Sequence, residues 1–259
     1  MNLLAAALSM SVAGLAPALA QEERRARVAP SVTAADVEAV SPVLARHLRG
    51  TLLGEVWSRP GMSARDRSVV TVAALVARNQ ATEMPFYFGR ALDSGVTPAE
   101  LSEIIAHLAW YSGFPNAVSA VAAARDVFAE RGVEAEQLPA ASPEPLPQDE
   151  AAEAARHRSV SENVGPVSQG VVDYTDMLFD DVWRRPGLAP RDRSLVTLSA
   201  LVVSGQSAQV TFHLNRAMDN GLTREEVSET LTQLAFYGGW PNVMSAVPVV
   251  KDVLAKRGG

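Results

Sequence analysis

The sequence predicts an all-α protein built from two tandem helical domains, and three observations carry that prediction. Trp57 to Gly132 repeats as Trp183 to Gly258 at a constant offset of 126 residues without a gap, and 37 of the 76 paired positions are identical. Each copy contains a long apolar segment, Arg65 to Arg78 in the first, whose 14 residues suit a buried helix better than a strand. A capping box then opens a further helix in each copy, Thr97-Pro98-Ala99-Glu100 and Thr223-Arg224-Glu225-Glu226. No alternating strand pattern competes with this reading.

In chain order, Leu3 to Ala20 is apolar, carries no charge and closes with Ala18-Leu19-Ala20 before Gln21. That pattern predicts a cleavable secretory signal over 1–20. The run is short for a membrane span. The mature chain is therefore expected to begin near Gln21, to be secreted or periplasmic, and to have no membrane contact once the signal is removed. A tail over 21–35 precedes a first domain over 36–132. Residues 133–158, with Pro139, Pro143, Pro145 and Pro147, predict a stiff linker. The second domain spans 159–259, and Val164-Gly165-Pro166 echoes Val40-Ser41-Pro42 after a two-residue indel.

Within each copy, Asp93-Ser94-Gly95 and Asp219-Asn220-Gly221 predict helix ends with a left-handed glycine. The helix from the first capping box is expected to run to Tyr111 and to stop at Gly113 and Pro115. A last helix is expected from about Asn116 to Arg131. Pro248 is expected to interrupt and kink its counterpart.

Composition excludes several chemistries. The chain of 259 residues has a net charge of −6, 47% hydrophobic and 20% charged residues, and no cysteine. A sizeable core is expected, whereas a basic grip on nucleic-acid phosphates is not. Without cysteine there are no disulfides, thiolate metal sites, thiol nucleophiles or CxxC redox centres. The four histidines, His47, His107, His157 and His213, are too few and too dispersed to predict a metal cluster.

The combined order R-x-R-S-L/V-V-T, then x-x-x-H, A-x-x-x-G-x-T-x-E-E-x-x-E and Y-x-G-x-P-N resembles the carboxymuconolactone decarboxylase family, over both repeats. The resemblance implies helical domains that assemble into a ring, here a trimer of tandem chains forming a pseudo-hexamer of domains. It also implies a cofactor-free and metal-free lyase or isomerase acting on a small carboxylated lactone or related organic acid. Alkylhydroperoxidase-D-like relatives use a CxxC followed four residues later by histidine. Here His213 holds the histidine position, whereas Gln206 and Gln209, or Gln80 and Glu83, stand where the cysteines would be. Ser68 and Ser194 match the relay glutamate, so a thiol peroxidase mechanism is excluded.

The copies differ where chemistry would be expected. Glu83 and Tyr87 lie i, i+4 on one predicted helix face, and their counterparts are Gln209 and His213. One copy thus supplies a carboxylate and the other an imidazole. Pro85 places Glu83 near a helix N-terminus, where the dipole favours the ionised form. Glu103 and His107 share a face of the next helix, opposite Glu229 and Gln233. His213, Glu83 and His107 are therefore the candidate acid–base residues, since imidazole titrates near neutrality. The plainer reading makes the histidines helix-to-helix hydrogen-bonding groups and Glu83 a cap. Arg65, Arg67, Arg191 and Arg193, with Gln209 and Tyr87, are candidate substrate-binding residues, the arginines as a dicarboxylate clamp. Ion pairing of those arginines with Asp66, Asp192 or the Glu103 and Glu229 helices is the alternative. Two other functions stay open: a non-catalytic periplasmic scaffold that binds small acids, and, opposed by the absence of cysteine, a peroxide-related activity.

Overall fold

Twelve α-helices with short 3-10 and π segments make up the residues that the computed structural model describes, 32–258, and no strand occurs among them. The expected signal over 1–20 and the first part of the expected tail lie outside the described residues.

The first repeat contains α1 (Ala34–Val40), α2 (Pro42–Arg46), a π-helical stretch (His47–Glu55), a 3-10 turn (Val56–Ser58), α3 (Ala64–Ala77), α4 (Met84–Asp93), α5 (Pro98–Ser112) and α6 (Phe114–Arg131). The second contains α7 (Glu150–Val164), α8 (Gln169–Asp180), a 3-10 turn (Val182–Arg184), α9 (Pro190–Val203), α10 (Ser207–Asp219), α11 (Arg224–Gly238) and α12 (Trp240–Lys256).

Helices α3 and α9 pack against each other at the centre. Eleven of the 14 residues of α3 and twelve of the 14 of α9 are buried, as expected for helices that are apolar nearly all round. Each also packs on the capping-box helix of the other repeat, α3 on α11 and α9 on α5. The two repeats therefore share one continuous core. Leu101 and Ile104 of α5 are fully buried in it; truncating such a side chain to alanine costs ~2–5 kcal/mol.

Local chemistry sets the helix ends. Both capping boxes form, with Thr97 and Thr223 accepting from the Glu100 and Glu226 amides while those glutamates accept in return. Gly95 (φ 94°) and Gly221 (φ 99°) follow α4 and α10 in the positive-φ region that side chains avoid.

Three expectations are corrected. Helix α6 begins at Phe114 rather than near Asn116, because Pro115 falls in its first turn, where a missing N–H costs nothing. Helix α12 continues through Pro248 to Lys256 instead of being interrupted. Pro248 and Met244, whose carbonyl loses its partner, are both exposed, so water can satisfy that carbonyl. The segment 133–158 is extended only in part, since α7 begins at Glu150 with Asp149 capping the Ala151 and Ala152 amides. The extended part lies along the second repeat: the Leu146 amide donates to the Arg184 carbonyl at 2.7 Å, and Arg184 Nε returns a bond to the Leu146 carbonyl at 2.8 Å.

Candidate active site

Two equivalent sites straddle the seam between the repeats, and each draws on both. In each, the 3-10 turn of one repeat supplies a tryptophan and the following Arg-Pro-Gly turn an arginine. The central helix of that repeat adds an arginine and a threonine, and the capping-box helix of the other repeat adds a glutamate and a tyrosine. One site holds Trp57, Arg59, Arg67, Thr71, Glu229 and Tyr237; the other holds Trp183, Arg185, Arg193, Thr197, Glu103 and Tyr111.

The shared frame is an ion-pair cluster with an aromatic lid. Arg67 and Arg193 are fully buried, yet Arg67 Nη2 donates to Glu229 at 2.8 Å and Arg193 Nη2 to Glu103 at 2.6 Å. Arg59 and Arg185 contact the same two carboxylates from the turn side, at 2.7 and 2.9 Å. The arginine hydrogen bonds hold the Glu229 carboxyl below its ordinary pKa, Arg59 contributing most. The turn glycines permit this approach: a Cβ on Gly187 would stand 2.8 Å from Glu103 Cγ, and Gly61 adopts φ 87° beside Glu229. Trp57 Nε1 donates to Tyr237 Oη and Trp183 Nε1 to Tyr111 Oη, both at 2.9 Å.

Two positions distinguish the sites. Where the first has Tyr87 and Gln233, the second has His213 and His107. At the tyrosine site the polar groups close on one another. Tyr237 donates to Tyr87 Oη at 2.9 Å, Arg67 Nη1 to Gln233 Oε1 at 3.3 Å, and Gln233 Nε2 to Thr71 Oγ1 at 3.1 Å. Burial pushes the Tyr87 and Tyr237 phenols up, so both stay neutral.

At the imidazole site the same frame is left open. His107 Nε2 lies 2.7 Å from Thr197 Oγ1, and the Thr197 hydroxyl donates to the Arg193 carbonyl at 2.9 Å. The threonine hydrogen being used, His107 Nε2 carries the hydrogen of this contact and Nδ1 is a bare acceptor. That Nδ1 is buried without a partner, as are His213 Nδ1 and Arg193 Nη1, whereas the unpartnered Arg193 Nε has an equal in Arg67 Nε at the tyrosine site. Both imidazoles pack on Tyr111 and Trp183, with His213 stacked on Trp183 at 6.1 Å and edge-on to Tyr111 at 5.3 Å. Burial first, and Arg216 second, lower the His213 pKa to about 4. His107 is lowered well below its ordinary value, by burial and then by Arg193. Both histidines are thus neutral at pH 7, beside the Arg193 and Arg216 cations.

Cavities adjoin this site. One of about 310 Å³ is bordered by Trp183, Arg184 and Arg216 together with the linker residues Leu146 to Asp149. Another, of about 460 Å³, lies between α7 and α10 and is bordered by Arg156, Phe212 and Arg216.

The structure brings His213 together with His107 and not with Glu83. Glu83 is the exposed N-cap of α4, beside Tyr87 at the tyrosine site, and Gln209 is exposed on α10. Tyr87 lies inside the tyrosine site. Arg65 and Arg191 lie at the seam: Arg65 pairs with Asp192 at 2.8 Å and with Glu100, and Arg191 with Asp66 at 2.8 Å and with Glu226. Arg67 and Arg193 form the buried pairs just described. Sequence reasoning missed Arg59 and Arg185, as well as Arg90 and Arg216, which cover the tryptophan rings at 3.8 and 4.4 Å. The signal was present, since each pair is identical in the two repeats and Arg90 and Arg216 follow Tyr87 and His213 by three. Among the described residues no three His, Asp or Glu side chains converge to hold a metal ion.

Fold and site together define a tandem helical protein whose two sites are composite across the repeats. The chain belongs to the carboxymuconolactone decarboxylase family, which it matches over residues 42–126 and 173–252. It is 39% identical over 85 residues to 4-carboxymuconolactone decarboxylase of Acinetobacter baylyi, covering 33% of this chain and 63% of that protein. It is 32% identical over 80 residues to nitrosuccinic acid decarboxylase of Metarhizium robertsii, covering 31% and 56%. An uncharacterized 15.0 kDa protein of Paracoccus denitrificans is 31% identical over 87 residues, covering 33% and 65%. The chain spans less than two thirds of the length of these relatives.

Proposed function

We propose that this chain is a cofactor-free carboxy-lyase for a small carboxylated lactone or related organic acid, with its chemistry at the imidazole site. The observation that carries this reading is the pair of buried neutral histidines with unpartnered Nδ1 atoms, His107 and His213. They stand where the companion site has a tyrosine and a glutamine that are hydrogen-bonded to their neighbours. Two relatives bearing decarboxylase names support the reaction class.

The site suits decarboxylation physically. Loss of CO2 breaks a C–C bond and leaves the electron pair on carbon, conjugated into a neighbouring carbonyl. The departing carboxylate loses its charge in the transition state, which an apolar wall such as Trp183 and Tyr111 favours over water. The carbanion then needs a proton. A bound anion beside His213 raises the affinity of the imidazole for a proton, which binding draws from solvent. The imidazolium delivers that proton to carbon and is recharged from water. His107, fixed through Thr197, positions the arrangement from the other repeat.

The test is CO2 release from a panel of carboxylated lactones, β-keto acids and nitro acids by wild-type protein and a His213→Gln variant. Turnover that collapses in the variant supports the reading; equal turnover in both moves the chemistry elsewhere. No turnover on any member of the panel would leave a binding protein for small acids. We further propose that the chain is exported through its N-terminal apolar segment and assembles as a trimer of tandem chains. A processed periplasmic form and sedimentation as three chains test those two points, and a monomer would overturn the second.

A further inference from the structure

Arg216 is a guanidinium at the imidazole site that no protein carboxylate among the described residues pairs with. It lies over the Trp183 ring at 4.4 Å and over Phe179 at 5.2 Å. Its Nε is buried without a hydrogen-bond partner, and no carboxylate forms an ion pair with it among the described residues. Burial lowers its pKa, opposed by the more distant Glu153. Stacking on aromatic rings does not replace the hydration that this half-buried cation loses.

The surroundings leave that charge uncompensated. Arg156, also over the Phe179 ring at 4.5 Å, is paired with Asp176 at 2.7 Å and with Glu153. Carboxylates border the 310 Å³ cavity, but each is already engaged. Asp219 pairs with Arg257 at 2.6 Å, Asp149 caps α7, and Glu153 holds Arg156. Arg184 borders the same cavity, with its Nε given to the Leu146 carbonyl.

We propose that Arg216 is the carboxylate anchor of the imidazole site and holds an acid group of the ligand in the cavity between the linker and α10. This inference rests on the decarboxylase reading and assigns one role within it. A carboxylate paired with a guanidinium resists leaving as CO2, because its charge must then move away from the cation. Arg216 therefore holds the carboxylate that is retained, while the leaving one sits against Trp183 and Tyr111. As a positioning residue it sets affinity and orientation rather than the chemical step.

The test uses the full chain and the lactone acid paraconate, with uncharged γ-butyrolactone as control, in calorimetric titrations. Wild-type protein should bind the acid in preference to the neutral lactone. Arg216→Met should lower the affinity for paraconate at least ~10-fold and abolish the preference, whereas Arg216→Lys should keep part of it. Arg90→Met, at the matching position of the tyrosine site, should change nothing. Circular dichroism separates lost binding from lost folding, and the lysine variant carries the test if the methionine variant unfolds. Wild-type affinity in both Arg216 variants, no preference in the wild type, or equal loss in Arg90→Met would overturn the proposal. On any substrate that is turned over, Arg216→Met should raise KM more than it lowers kcat. Arg216-dependent binding without turnover of any acid would sink the decarboxylase reading and leave the anchor standing. Turnover with an unchanged KM in Arg216→Met would do the reverse.

Discussion

At the tyrosine site, Trp57, Tyr237 and Tyr87 form an unbroken hydrogen-bond chain and Gln233 links Arg67 to Thr71. At the imidazole site the same tryptophan, tyrosine, arginine and threonine are present, but Tyr87 is replaced by His213 and Gln233 by His107. The chain then stops: His213 Nδ1 has no partner, and Arg193 Nη1 loses the acceptor that Gln233 offers Arg67. Two substitutions convert a cluster whose one unpartnered buried group is Arg67 Nε into a polar pocket that adds His107 Nδ1, His213 Nδ1 and Arg193 Nη1 to the equivalent Arg193 Nε. Unsatisfied buried groups cost stability, so the imidazole site carries the larger share of that cost. Tandem duplication makes the asymmetry possible. In a ring of identical single domains every site would change together, whereas here a change at position 87 or 233 touches one site alone.

The widest separation expected between the sites is catalytic. His213→Gln should lower kcat/KM for an accepted acid by ~10²–10⁴-fold, while Tyr87→Phe should leave turnover unchanged in the same assay. Equal losses would mean that the two sites do not differ in role. The ion-pair frame, by contrast, should be equally costly to break in both. Glu103→Ala and Glu229→Ala each strand a fully buried arginine, and each should lower the free energy of unfolding in urea by ~3–5 kcal/mol. A large difference between those two variants would show that the frames are not equivalent.

A third test uses pH. An unfolded histidine titrates near 6.5, and folding lowers His213 to about 4. Between those values the unfolded chain binds the extra proton. Stability is therefore complete above pH ~6.5 and falls as the pH drops toward 4, by up to ~1.4 kcal/mol per pH unit for each such group. His107 acts with the same sign. Urea midpoints measured from pH 7 to 4.5 should fall less steeply in His213→Gln than in the wild type, and an unchanged slope would contradict the lowered pKa. The smallest effect belongs to the tyrosine site: Tyr87→Phe removes the acceptor of the Tyr237 hydroxyl and should cost ~1 kcal/mol in the same denaturation experiment.

Most of the fold was legible in the sequence. The repeat, the all-α class, the span of α3 and both capping boxes follow from periodicity and end signals that act within a few residues. The spacing of Glu103 and His107 on one face of α5 was legible for the same reason. Whether Glu83 meets His213 was not, because the similarity of the repeats shows which positions correspond and not which ones meet. Glu83 corresponds to Gln209 and stays exposed at the tyrosine site, whereas the partner of His213 is His107, contributed by the other repeat. Ion pairing of Arg65 and Arg191 with Asp66 and Asp192 was one of two readings the sequence offered, and only the structure crosses the pairs, Arg65 to Asp192 and Arg191 to Asp66, 127 and 125 residues apart.

The amino-acid order alone thus determined the helices, their caps, the doubling of the unit and the absence of thiol chemistry, since these depend on residue type and near neighbours. Only the tertiary structure decided that α5 and α11 cross onto the central helix of the opposite repeat. That crossing makes each site composite, and it brings His107 of one repeat to His213 of the other. The physical reason is that long-range pairing follows from which apolar faces bury one another, and side-chain partners separated by 90 residues or more are then whatever that packing brings within reach.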